Sequence, residues 1–197
     1  NSNKIKKVGE VDSEFLNENN LYENYLHNYT VQIPTGFEVD YGVGAHSELR
    51  ATESDSGFVF VVNVGDSGTK AKQAYGTELS LDELSEKTVK DMYRLLLADS
   101  NLISVYEKTF AKRGLSDISI KTISLTNFNN RDFIKFDLGA NTIFDNQKYP
   151  VKVVHYLTMY NDFAYHFGFR CWEEYYTGPW QQRITETMGT VWVDEYI

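Results

Sequence analysis

Three side chains that can ligate a metal or take part in hydrolysis fall close together: His155, His166 and Arg170. Two imidazoles at diagonal positions on neighbouring strands come near enough to share one metal ion. A third ligand is missing nearby, because His27 and His46 are remote in the sequence. The structural alternative is a pair of satisfied histidines packed under a helix. A second group is aromatic. Trp172, Tyr175, Tyr176 and Trp180 surround Glu173-Glu174. Exposed, they would form a patch able to bind a sugar or a protein partner; folded inward, they would cap the edge of a core. No Gly-x-Ser-x-Gly, His-Glu-x-x-His or Cys-x-x-Cys occurs, so no catalytic residue, metal ligand or cofactor is assigned. The single cysteine, Cys171, lies in an apolar strand pattern and reads as a small buried hydrophobe.

The element that must position these residues is Tyr149 to Trp172. Two long apolar runs, Val151–Tyr160 and Phe163–Trp172, are separated by Asn161-Asp162. A two-residue turn there pairs Tyr160 with Phe163 and Tyr156 with Phe167. Side chains alternate along strands, so one face carries Val154, Tyr156, Thr158, Tyr160, Phe163, Tyr165, Phe167 and Phe169. That face is aromatic and reads as core. The other carries His155, His166, Gly168 and Arg170 among Val153, Leu157, Met159 and Ala164, and is mixed. A one-residue slip would exchange the faces.

Around the hairpin, Tyr29–Ile33 reads as a strand closed by Pro34-Thr35-Gly36, and Phe58–Val64 as a central strand covered on both faces. Ser80-Leu-Asp-Glu83 is a capping box opening a helix to about Asp99, with Leu81, Leu84, Thr88, Met92 and Leu95 as its inner face. Leu102–Arg113 reads as a second helix ended by Gly114. Ile118–Thr126 and Arg131–Leu138 read as strands, the first with Ile118, Ile120, Thr122 and Ser124 on one face. Gly139–Lys148 reads as a loop. Pro179 opens a terminal helix with Trp180, Ile184, Thr187, Met188 and Val191 inward. Residues 1–28 read as a polar tail or linker carrying a short docking helix near its end, and 29–197 as one α+β domain.

The order of these elements resembles the PsbP-like family. Tyr29-Thr-Val-Gln-Ile-Pro-Thr-Gly-Phe37, Phe58–Val64, the turn at Asn161-Asp-Phe-Ala-Tyr165 and Ile184–Val191 carry the likeness over residues 29–193. Many members have Ser-Phe near the last helix, where Thr190-Val191 stands here. The resemblance implies an antiparallel β-sheet sandwiched between helices (α/β/α), a fold shared by photosystem II extrinsic proteins and a nuclear Ran nucleotide-release factor. It also implies a non-enzymatic accessory or binding role. The family's partners differ, so no partner or binding residue carries over.

Composition narrows the remaining choices. A net charge of −9 with no basic stripe argues against nucleic acid. No run approaches a membrane-spanning helix. The chain opens on Asn1, and its first eighteen residues are rich in Asn, Glu and Lys. Such a spacer is expected of a secreted or lipid-anchored protein after removal of a leader, with a cytoplasmic protein as the alternative. Two functions follow: a secreted or lipid-anchored binding protein engaging a protein or a glycan, or a metal-dependent or hydrolytic enzyme built on His155, His166 and Arg170.

Overall fold

A computed structural model describes residues 3–4, 14–40, 49–66, 73–75, 79–111, 114–160 and 163–193. Its strands are β1 (Asn3–Lys4), β2 (Glu14–Leu16), β3 (Leu21–Asn24), β4 (Tyr29–Gln32), β5 (Glu38–Val39), β6 (Leu49–Glu53), β7 (Phe58–Asp66), β8 (Leu115–Phe128), β9 (Arg131–Phe144), β10 (Gln147–Tyr160), β11 (Phe163–Trp172) and β12 (Trp192–Val193). The helices are α1 (Leu81–Ala98), α2 (Ser100–Ala111) and α3 (Gly178–Gly189), with a 3-10 turn at Glu173–Tyr175. Seven strands form the central antiparallel sheet in the order β5-β6-β7-β11-β10-β9-β8. The order β1-β2-β3-β4-β12 forms a smaller second sheet.

The hairpin β10–β11 has the expected register, with Tyr160 opposite Phe163, Tyr156 opposite Phe167 and Val151 opposite Trp172. Its turn, Asn161-Asp162, lies outside the described residues. Tyr156, Tyr165, Phe167 and Phe169 join one core with Phe58, Phe60 and Phe133 from the same sheet. Tyr22, Tyr29 and Val31 of the small sheet, and Ile184 and Met188 of α3, close that core from outside. Tyr29 meets Tyr165 and Phe167 edge to face, with centroids 6.0 and 6.1 Å away. The face read as mixed is a second core: Val151, Val153, Leu157 and Met159 pack with Ile134, Phe136 and Leu138 under Val89, Leu96 and Phe110 of the two helices. The sheet is therefore covered on both sides, as a helix–sheet–helix sandwich requires, with the small sheet sharing the outer layer with α3.

Several local expectations change. The stretch expected to form a docking helix before Asn28 consists of strands β2 and β3, and Tyr22 and Asn24 are buried within it. Leu21–Asn24 pairs with β4, so alternation rather than helical spacing governs it. The expected loop at Gly139–Lys148 is a long β-hairpin instead. Asp145 and Asn146 both sit at positive φ (49° and 60°), the backbone a tight two-residue turn needs, and the flanking strands continue straight into it. On β8, irregularities between Ser116 and Ser119 and between Ile120 and Thr122 shift the alternation, so Ile123 packs inward beside Ile118 and Ile120 in place of Thr122. On α1 the inner face is rotated: Leu84, Ser85, Val89 and Leu96 are buried, while Leu95 is 58% exposed.

The capping box forms as expected. The Ser80 hydroxyl accepts from the Glu83 amide at 3.3 Å, and the Glu83 carboxylate accepts from the Ser80 amide at 3.0 Å. The turn between β8 and β9 clamps the end of α3: Asn129 Nδ2 donates to the carbonyls of Gly189 (2.9 Å) and Val191 (2.7 Å). This contact joins residues about sixty positions apart and fixes α3 over the aromatic core.

Candidate functional site

Four neighbouring strands build a recess on the helix side of the sheet. Paired residues share a face, so one row runs Arg50–Val61–Gly168–His155 across β6, β7, β11 and β10. Val59–Arg170–Val153 flanks that row on one side and Asn63–His166–Leu157 on the other. Phe110 of α2 and Leu115 of β8 complete a cavity of about 470 Å³. Gly168 leaves the floor open: a Cβ there would meet His155 Nδ1 at 3.5 Å, ordinary contact.

His155, His166 and Arg170 therefore converge, as the hairpin register required. His155 is buried against Phe110, with ring centroids 5.1 Å apart. Its Nε2 lies 2.9 Å from His166 Nδ1. One nitrogen must donate and the other accept, so this contact links the two rings to each other. Two nitrogens bound to one tetrahedral zinc would stand about 3.3 Å apart, both lone pairs turned to the ion. Among the described residues no group of three His, Cys, Asp or Glu is placed to hold a metal. Nor does any described Ser, Cys, Asp or Glu line the recess. Its described lining is cationic and partly apolar.

Arg50 escaped the sequence reading. Alternation on β6 places it opposite in face to Leu49 and Ala51, but only the pairing of β6 with β7 shows what it faces. Burial, and then the neighbouring Arg50 charge, pull the Arg170 pKa below its ordinary value.

The aromatic group divides instead of forming one cluster. Trp180 stacks on Phe58 with centroids 4.2 Å apart and has the Arg183 guanidinium 4.5 Å over its ring, on the small-sheet side. Tyr176 belongs to that side as well. It donates to Asp137 at 3.5 Å, and burial, followed by Asp137, pushes its pKa up to about 12. Trp172 packs on the helix side, edge to face with Tyr149 at 5.8 Å. Its indole lies against Gly57, where φ is +64° and a Cβ would come within 2.7 Å of Nε1. Tyr175 is exposed. Trp172 and Tyr175, with Tyr149 and Phe144, line a second and wider recess of about 830 Å³ at the sheet end, rimmed by Asp55, Glu173 and Glu174.

Cys171 faces the aromatic core and is buried; burial pushes its thiol pKa up to about 12. At pH 8 it is therefore a neutral thiol out of reach of solvent. Iodoacetamide is expected to label it about a hundredfold more slowly in native than in unfolded protein. Rapid stoichiometric labelling of the native chain would contradict this placement. Because the folded pKa exceeds the unfolded value of 9.0, the unfolded state loses the proton first. The contribution of Cys171 to stability is thus intact below about pH 9 and declines as pH rises towards 12.

No protein-family model matches the chain, and no curated protein matches it in sequence. In structure it is similar to cyanobacterial PsbP from Synechocystis sp. PCC 6803, at 10% identity and a TM-score of 0.55 over 96% of this chain and 97% of that one. A protein from Bacteroides thetaiotaomicron VPI-5482 aligns at 11% identity and a TM-score of 0.46, over 85% of this chain and 45% of that one. The fold is PsbP-like, an α+β architecture on an antiparallel sheet.

Proposed function

We propose that this chain is a non-enzymatic accessory protein, secreted or lipid-anchored at the cell envelope, that docks a protein partner through the sheet end carrying Trp172. One observation carries this reading. Phe144 at the tip of the β9–β10 hairpin is 63% exposed and lines one recess with exposed Tyr149 and Tyr175. A contiguous aromatic surface of this kind is costly to leave in water and suits an interface. Among the described residues lining the recess, Asp55, Glu173 and Glu174 are the only charged ones. Aromatic faces rimmed by carboxylates suit a lysine or arginine of a partner, by cation–π attraction and ion pairing. The resemblance to PsbP-like proteins supports an accessory role. No helix among the described residues is long and apolar enough to cross a membrane.

The test is capture from the native envelope fraction with the wild-type chain and with Phe144→Asp/Tyr175→Ala as baits. A partner enriched by the wild type and reduced about tenfold or more by the variant is expected, since losing two interface anchors costs well over the 1.4 kcal/mol of one decade. The same partner captured equally by both baits, or glycan capture in place of protein, would overturn the reading. Fractionation of cells producing the natural protein tests the compartment.

A further inference from the structure

The chain carries 28 acidic residues against 19 lysines and arginines, so carboxylates outnumber the cations they could pair with. Arg50 and Arg170 nevertheless stand without one. They flank β7 from both sides on one face, and no carboxylate among the described residues meets either. Arg50 Nε is buried with no hydrogen-bond partner. Both arginine side chains are half-buried, and two like charges beside each other, with no carboxylate between them, repel. Val59, Val61, Phe110, Leu115 and Val153 give the hollow an apolar wall, and Asn63, His155 and His166 line the rest of it. Its volume, about 470 Å³, is in the range of small-molecule sites.

We propose that this recess binds a small organic carboxylate with an apolar body. The guanidinium forks of Arg50 and Arg170 take the carboxylate, for which two parallel N–H donors are the matched geometry. The valines, Phe110 and Leu115 take the hydrocarbon. Gly168 leaves the floor bare where the ligand lies, and the linked His155–His166 pair forms the wall beside it. A free inorganic anion would satisfy the cations but leave the apolar walls empty. The site shares no lining residue with the acidic aromatic recess, which has the opposite charge, so the two proposals are tested by different variants.

Octanoate is the probe, titrated by calorimetry and by thermal shift into the full chain, with octylamine and inorganic phosphate as comparisons. Octanoate is expected to bind and to raise Tm, with octylamine and phosphate each about tenfold weaker or more. Arg50→Met/Arg170→Met keeps the aliphatic bulk; it should weaken octanoate about tenfold or more while the ligand-free variant melts no lower than wild type. Gly168→Leu should abolish binding with both arginines intact, by filling the floor. Three results would overturn the proposal: octylamine or phosphate binding as tightly as octanoate, unchanged octanoate affinity in the double Met variant, or a ligand-free double variant that melts lower. The last would mean that the arginines serve the fold.

Discussion

Phe167→Ala is expected to destabilise the protein by about 3–5 kcal/mol, the cost of truncating a fully enclosed aromatic ring. Phe167 has no solvent exposure. It stands between Tyr156 of β10 and Val62 of β7 in one row of the sheet. Tyr29 of the small sheet and Phe133 of β9 each meet it edge to face at 6.1 Å. The cavity left would touch both layers and three neighbouring strands, so collapse around it is limited. For a chain of this size, about 2–4 °C of Tm accompanies each kcal/mol, so a fall of roughly 6–20 °C is expected. Denaturant unfolding should show a lower midpoint with an unchanged slope. The control is Leu95→Ala, on the exposed side of α1, which should change stability by no more than about 0.5 kcal/mol. A loss below about 1 kcal/mol for Phe167→Ala would mean that this face of the hairpin is not the core.

Tyr22→Ala is the second large effect, expected at about 3 kcal/mol or more. Tyr22 lies in the stretch that sequence alone reads as a polar tail, where such a change would be almost silent. In the structure it is fully buried, opposite Val31, with its ring centroid 5.8 Å from that of Tyr29. Its hydroxyl accepts a hydrogen bond from Asn24 Nδ2 at 3.2 Å, and Asn24 is itself buried and accepts from the His27 amide at 2.9 Å. Truncation therefore opens a cavity and removes a partner from a buried amide. Leu26→Ala, four residues past Tyr22 and exposed, should be nearly neutral. Equal, small effects for Tyr22→Ala and Leu26→Ala in urea unfolding would show that the small sheet does not contribute to the cooperative unit.

The two recesses differ in how legible they were. The hairpin histidines and Arg170 could be placed together from the turn and alternation alone, because a two-residue turn fixes every pair along both strands. Both faces of that hairpin proved apolar, so hydrophobic burial cannot choose between registers. The polar residues do: a slip by one would drive His155, His166 and Arg170 into the aromatic core. Arg50 was out of reach, since it enters from a strand more than a hundred residues earlier in the chain. The aromatic group around Glu173-Glu174 misled for a related reason. Trp172 ends a strand and Trp180 lies on a helix, and the intervening 3-10 turn passes them to opposite sides of the sheet.

Local chemistry determined what lies within one element or one tight turn: the β10–β11 register, the Ser80 cap, the helices and the buried strand Phe58–Val64. These depend on φ/ψ preferences and side-chain periodicity, which act over a few residues. Tertiary structure alone decided that a tail-like segment supplies Tyr22 to the core, that Gly139–Lys148 continues a sheet, and that Arg50 meets Arg170 across β7. Each of these rests on strand pairing between distant segments, and that pairing is set by the total burial it achieves, which no single stretch encodes.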